Sequence, residues 1–187
     1  MTDADPSRAA SAPPPFALSG EQASYAWSKF APNLSPFESA TDPMKAWFSQ
    51  LLSLFIPHAD SASEAIEQLA STTAFLFGFS VDAAHARPDN STLLSSGSAR
   101  IVLAEMADRA RVHTGSITSE VFHNWLEEIQ SATGVGGAQL LVPITIAITG
   151  SPTGPDIEKL VPLIETGVSL GLPIPSVRAR IERFVGV

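Results

Sequence analysis

Apolar side chains recur along this chain at three- and four-residue intervals, the spacing of one helix face, with polar residues between them. Met44, Trp47, Phe48, Leu51, Leu52 and Phe55 form the clearest stripe, opened by Asp42-Pro43 as N-cap and first helical residue and stopped by Pro57. Ile66, Leu69, Thr73, Leu76 and Phe77 form a second, behind the capping box Ser61-Ala62-Ser63-Glu64 and ending at Gly78. A third starts at Ser98 and runs through Ile101, Val102, Met106 and Ala110. A fourth, capped by Thr118, runs through Val121, Phe122, Trp125, Leu126 and Ile129. Ser19-Gly20-Glu21-Gln22 opens a shorter helix from about Gly20 to Ala31 that carries Tyr25, Trp27 and Phe30. Toward the C-terminus, Pro155 to Thr166 and Pro175 to Phe184 read as helices. In the last, Val177, Ile181 and Phe184 are expected to face inward and Arg178, Arg180 and Arg183 outward. The segment from Ser80 to Gly97 is polar and turn-rich, and predicts a loop with one helical turn near Asp82.

One stretch resists this pattern. Leu140 to Ile148 is the most apolar run in the chain and is rich in β-branched residues, which favours a strand. Pro143 in its middle would remove a ladder donor from a central strand and would equally kink a helix. Periodicity leaves both open. The run follows the break Gly134-Val135-Gly136-Gly137 and closes at Thr149-Gly150, ahead of Gly154-Pro155.

Composition narrows the function classes. The chain has 187 residues, 44% of them hydrophobic, enough for one domain or two small packed subdomains. Met1 to Pro15, almost all Ala, Ser, Pro and Asp, is expected to be a disordered leader. It lacks the basic start and apolar core of a signal peptide, and no uncharged apolar stretch reaches the roughly 18 residues of a membrane span. With no cysteine, disulfides, thiolate nucleophiles and cysteine zinc sites are excluded, and the cytoplasm is the expected compartment. The net charge is −8, with four cations against ten carboxylates in residues 1–98 and seven against nine beyond them. Such a surface repels phosphate backbones, so nucleic-acid binding would need a local basic cluster.

With the pieces in order, a pattern emerges. A helix capped by Thr118-Ser119-Glu120 and a Gly-rich break lead to Gln139-Leu140-x-x-Pro143-Ile144-x-Ile146-Ala147-Ile148-Thr149-Gly150; then come Gly154-Pro155 and a final apolar helix. This resembles the C-terminal anticodon-binding region of bacterial glutamyl-tRNA synthetases, where the run typically reads LxxPLRxALTG before a GP that starts the next helix. The similarity covers roughly residues 40–187. It implies an all-α cage of two packed subdomains, 16–135 and 136–187, with Leu140 to Thr149 as a buried, proline-containing helix. Two positions depart from the family: Thr145 stands where it places an arginine, and Thr153 where it often has a histidine. No Rossmann-type catalytic domain and no HIGH-like or KMSKS-like motif accompanies it, so the chain is not expected to be an enzyme.

Other chemistry is thin. His58, His85, His113 and His123 have no metal-binding spacing, and the Gly134 to Gly137 run lacks the Lys-Ser/Thr of a phosphate loop, so neither metal nor cofactor is expected. No Gly-x-Ser-x-Gly elbow occurs, and the carboxylate pairs Glu64/Glu67 and Glu127/Glu128 read as solvated helix faces. Trp47 and Trp125 read as core anchors. The functional candidates are Arg100, Arg109 and Arg111 on one helix and Arg178, Arg180 and Arg183 on the last, because guanidinium forks suit phosphates and exposed bases. The competing account pairs them with Glu105, Asp108 and Glu182 as ordinary helix-face cations. The expected partner is tRNA, bound by a freestanding, non-catalytic relative of the synthetase region, either half of a split enzyme or a repurposed paralogue. The alternative is a helical protein-interaction module that has lost RNA binding and meets a synthetase or another protein.

Overall fold

Helices and their connections make up the whole of what the computed structural model describes, residues 20–30, 34, 36–55, 66 and 73–186. Among these residues there is no strand. The expected leader, the Ser61 to Glu64 capping box and the Pro57 stop lie outside the described residues. The helices are α1 (Gly20–Phe30), α2 (Asp42–Phe55), α3 (73–78), α4 (Val81–Ala86), α5 (Pro88–Leu94), α6 (Gly97–Val112), α7 (Ser119–Thr133), α8 (Ala138–Thr149), α9 (Ile157–Ser169) and α10 (Val177–Val185). A 3₁₀ turn, Phe37–Ser39, separates α1 from α2.

The predicted start at Thr118 follows from a side-chain cap, Thr118 Oγ1 accepting from Val121 N, whereas the last helix, read from Pro175, begins at Val177 behind Ser176, whose Oγ accepts from Ala179 N. The third helix begins at Gly97, one residue before the Ser98 expected, because Ser96 is the cap, accepting from Ala99 N. In the segment from Ser80 to Gly97, the helical turn expected near Asp82 is α4, and the loop expected after it is a second short helix, α5. Ser80 caps the first, Pro88 takes the first position of the second, and Asn90 joins them by donating to Ala84 O at 2.7 Å. The polar composition that suggested a loop belongs to helices whose outer faces are solvated.

The ambiguous run is α8, and its helix has eight buried residues among twelve. Its strand-like composition is the signature of burial on most sides, which leaves no polar stripe to reveal the period. Thr145 and Thr149 fit this environment by donating to Leu141 O and Thr145 O one turn back, so neither hydroxyl is left without a partner. Gly137 (φ 58°, ψ −137°) opens the helix and Gly150 (φ 78°) closes it, both at backbone angles that a side chain would strain.

α6 packs on α5, α7, α8 and α10, while α9 connects α2, α7 and α10. One cluster of buried side chains spans the boundary anticipated at residue 135, taking Trp47 and Phe122 from one side and Ile144, Ile164 and Ile181 from the other. Fully burying each such large apolar side chain contributes about 1.5–3 kcal/mol. A smaller cluster joins Ala84 of α4, Leu103 of α6, Ile146 and Ala147 of α8 and Phe184 of α10. Trp27, Phe30, Phe37 and Phe48 form an aromatic group with neighbouring centroids 5.0–6.4 Å apart, which attaches α1 to α2.

Candidate nucleic-acid interface

The six candidate arginines meet three different fates. Arg109 is half-buried and tied down: its Nη1 donates to Glu105 Oε2 at 2.6 Å and to Glu105 O, and its Nε to Glu128 Oε2 at 3.1 Å, joining α6 to α7. Arg111 is exposed and paired with Asp108 one turn back. An exposed pair of this kind is worth little and exchanges freely with another anion. Arg100 and Arg183 are exposed and Arg178 is half-buried, and none of the three makes an ion pair among the described residues. Arg100 does not share a face with Arg109. Arg100 and Arg109 are nine residues apart, which puts them roughly 13 Å apart along the axis and on opposite sides.

Arg180, expected to face outward, is instead fully buried. Its fork donates to four backbone carbonyls: Nε to Pro175 O, Nη1 to Phe75 O and Ile148 O, and Nη2 to Leu76 O, at 2.8–3.1 Å. Its guanidinium lies 4.9 Å from the ring centroid of Phe79 and 5.6 Å from that of Phe75. Burial, and secondarily the charge of Arg183, push its pKa down to about 9, so it stays cationic at neutral pH. The spacing Val177, Arg180, Ile181, Phe184 is one inward stripe, and Arg180 belongs to it.

The structure also brings together residues the sequence did not single out. A cleft of about 730 Å³ opens between the end of α3, α4 and the α8–α9 connection. Phe75 and Phe79 supply its aromatic side, Ser80, Ser151 and Thr153 hydroxyls, and Arg87 the one cation among the described residues that line it. Among the described residues no carboxylate lines it. The Thr149-Gly150 turn forms one wall, held by Asn90, whose Nδ2 donates both to Gly150 O at 3.0 Å and to Ala84 O. One sequence signal could have found Arg87: it is the only cation between Lys45 and Arg100. The cleft and α10 share α4, since Ala83, Ala84 and Arg87 line the former and His85 stacks on Phe184 at 4.6 Å. Among the described residues no group of three His, Asp or Glu side chains could hold a metal ion, and no helix is long and apolar enough to cross a membrane.

Against known proteins, the model for the anticodon binding domain matches residues 29–170, about three-quarters of the chain. The chain belongs to the anticodon binding domain family. This anticodon binding domain is 30% identical over 143 residues to a glutamate–tRNA ligase of Bdellovibrio bacteriovorus, an alignment covering 74% of this chain and 27% of that protein. It is 41% identical over 51 residues to glutamate–tRNA ligase 1 of Rickettsia typhi, covering 27% of this chain and 11% of that one. A glutamate–tRNA ligase of Carboxydothermus hydrogenoformans is 32% identical over 73 residues, 39% of this chain and 15% of its own. The domain thus spans about a quarter or less of the relatives it matches. No solved structure matches it. The match takes in the cleft and α6, whereas α10 lies beyond its last residue.

Proposed function

We propose that this anticodon binding domain binds tRNA, taking an unpaired base into the Phe75–Phe79 cleft and holding flanking phosphates with Arg87, Arg100, Arg178 and Arg183. The observation that carries the reading is the cleft itself. In a chain of net charge −8, its described lining has an aromatic side, hydroxyls, a single guanidinium and no carboxylate. An unstacked base needs an apolar face to lie on and hydrogen-bonding groups at its edge, and its phosphates need cations without a prior partner. Arg111 can join by exchanging Asp108 for a phosphate. Arg109 and Arg180 are excluded from direct contact by the partners they already hold. In this reading the chain supplies recognition and no bond-making step.

The test is filter binding of total tRNA at stepped salt, comparing the wild type with R87A and with the R178A/R183A double variant. The double variant should weaken binding severalfold or more and flatten the logarithmic salt dependence by about 1.4 to 1.8, one phosphate per lost arginine. A wild type that ignores tRNA at low salt would overturn the proposal and leave the protein-interaction module as the account of this chain.

A further inference from the structure

Arg180 has no carboxylate partner among the described residues, although a buried cation ordinarily requires one. What surrounds it instead are the ends of two helices. Phe75 O and Leu76 O belong to the last turn of α3, and Ile148 O to the last turn of α8, where carbonyls have no intrahelical donor and carry the negative end of the helix dipole. The guanidinium therefore does for two helices at once what a C-terminal cation does for one. Those same two ends are the opposing walls of the cleft: α3 contributes Phe75 and Gly78 and is followed by Phe79, and α8 ends in the Thr149-Gly150 wall. Both rings that line the cleft also lie against the guanidinium.

We infer that Arg180 is a positioning residue for the cleft: from beneath it, the side chain fixes the spacing of the α3 and α8 ends and the rotamers of Phe75 and Phe79, without touching RNA. This rests on the cleft being part of the RNA interface. Four of the five guanidinium N–H groups are used, in four directions set by one plane. A lysine ammonium at the same place has three donors on a single atom and cannot span the carbonyls, so R180K keeps the charge and loses the spacing.

The experiment uses R180K, with R180M as a second variant, each measured well below its own melting temperature. Without RNA, hydrogen exchange should quicken about tenfold or more at residues 73–80 and 148–154, while the amides of α7 and of α9 around Ile164 keep wild-type rates. In filter binding, R180K should lose roughly tenfold in tRNA affinity with an unchanged salt slope, whereas R178A should flatten the slope by about 0.7 to 0.9. A flattened slope in R180K would mean that Arg180 meets a phosphate and would overturn the inference. So would exchange that quickens evenly across the chain, or affinity and exchange that both stay at wild-type values. If the wild type ignores tRNA, the proposed function fails on its own, and the exchange measurement still decides whether Arg180 holds the cleft walls.

Discussion

A methyl group on Gly167 would stand 2.6 Å from Ile174 Cδ1 and 3.0 Å from Trp47 Cζ2. The isoleucine end can swing away, but the indole is held by its own Nε1–H, which donates to Leu163 O at 2.7 Å. G167A should therefore lower stability by about 1–3 kcal/mol through overpacking, despite the gain in helix propensity, read as a shifted denaturation midpoint with an unchanged slope. An alanine variant as stable as the wild type would mean that Trp47 is free to move. Arg180 illustrates the converse reading problem. The spacing of Val177, Ile181 and Phe184 leaves position 180 on the inward stripe, and only the charge argued for the outside. Charge is a poor guide when backbone carbonyls at helix ends can take the place of a carboxylate, and nothing in a linear sequence announces which carbonyls those are.

Between elements, the α7–α9 contact carries a titratable clasp. His123 Nδ1 lies 2.9 Å from Glu158 Oε2, and its Nε2 lies 3.4 Å from Glu127 Oε1. The hydrogen bond with Glu158, then the charge of Glu127, raise the histidine pKa above its ordinary 6.5. The native state thus binds the proton more tightly than the unfolded chain, and this contribution is complete below about pH 6.5 and fades as pH rises through the elevated value. The melting temperature should fall slightly across that window, and E158Q should largely flatten the fall; a rise, or an unaltered fall in E158Q, would assign the pH dependence elsewhere. The long amphipathic helices α2, α6, α7, α9 and α10 were legible because each leaves a polar face beside its apolar stripe. α8 was not, since burial on most sides erases the period, and its helical state was reached through its resemblance to the synthetase run. α4 and α5, at six and seven residues, are too short for a stripe to repeat, so the sequence shows no more than a turn near Asp82 where α4 builds one wall of the cleft.

At the scale of the whole molecule, the electrostatics set a ceiling on how RNA can be held. Of eleven cations, Arg109, Arg111 and Lys159 are engaged with carboxylates and Arg180 with carbonyls, while Lys29 and Lys45 lie over the rings of Tyr25 and Phe37. Among the described residues that leaves Arg87, Arg100, Arg178 and Arg183 as guanidinium groups without an ion pair or a ring beneath them. Each phosphate neutralised steepens the salt dependence by about 0.7 to 0.9, so four contacts give a logarithmic slope of roughly −3 to −3.5, and a fifth from Arg111 brings it to about −4.5 at most. The nineteen carboxylates act against this at long range, and their repulsion is strongest where screening is weakest. The affinity of the wild type for tRNA should accordingly fall with salt at a slope no steeper than about −4.5, and it should level off below the salt at which the Debye length exceeds roughly 10 Å. A slope near −6 would require cations beyond these five and would place the interface on another part of the chain. A slope near zero with binding retained would mean that stacking in the Phe75–Phe79 cleft carries the affinity, with the arginines on α6 and α10 serving only the fold.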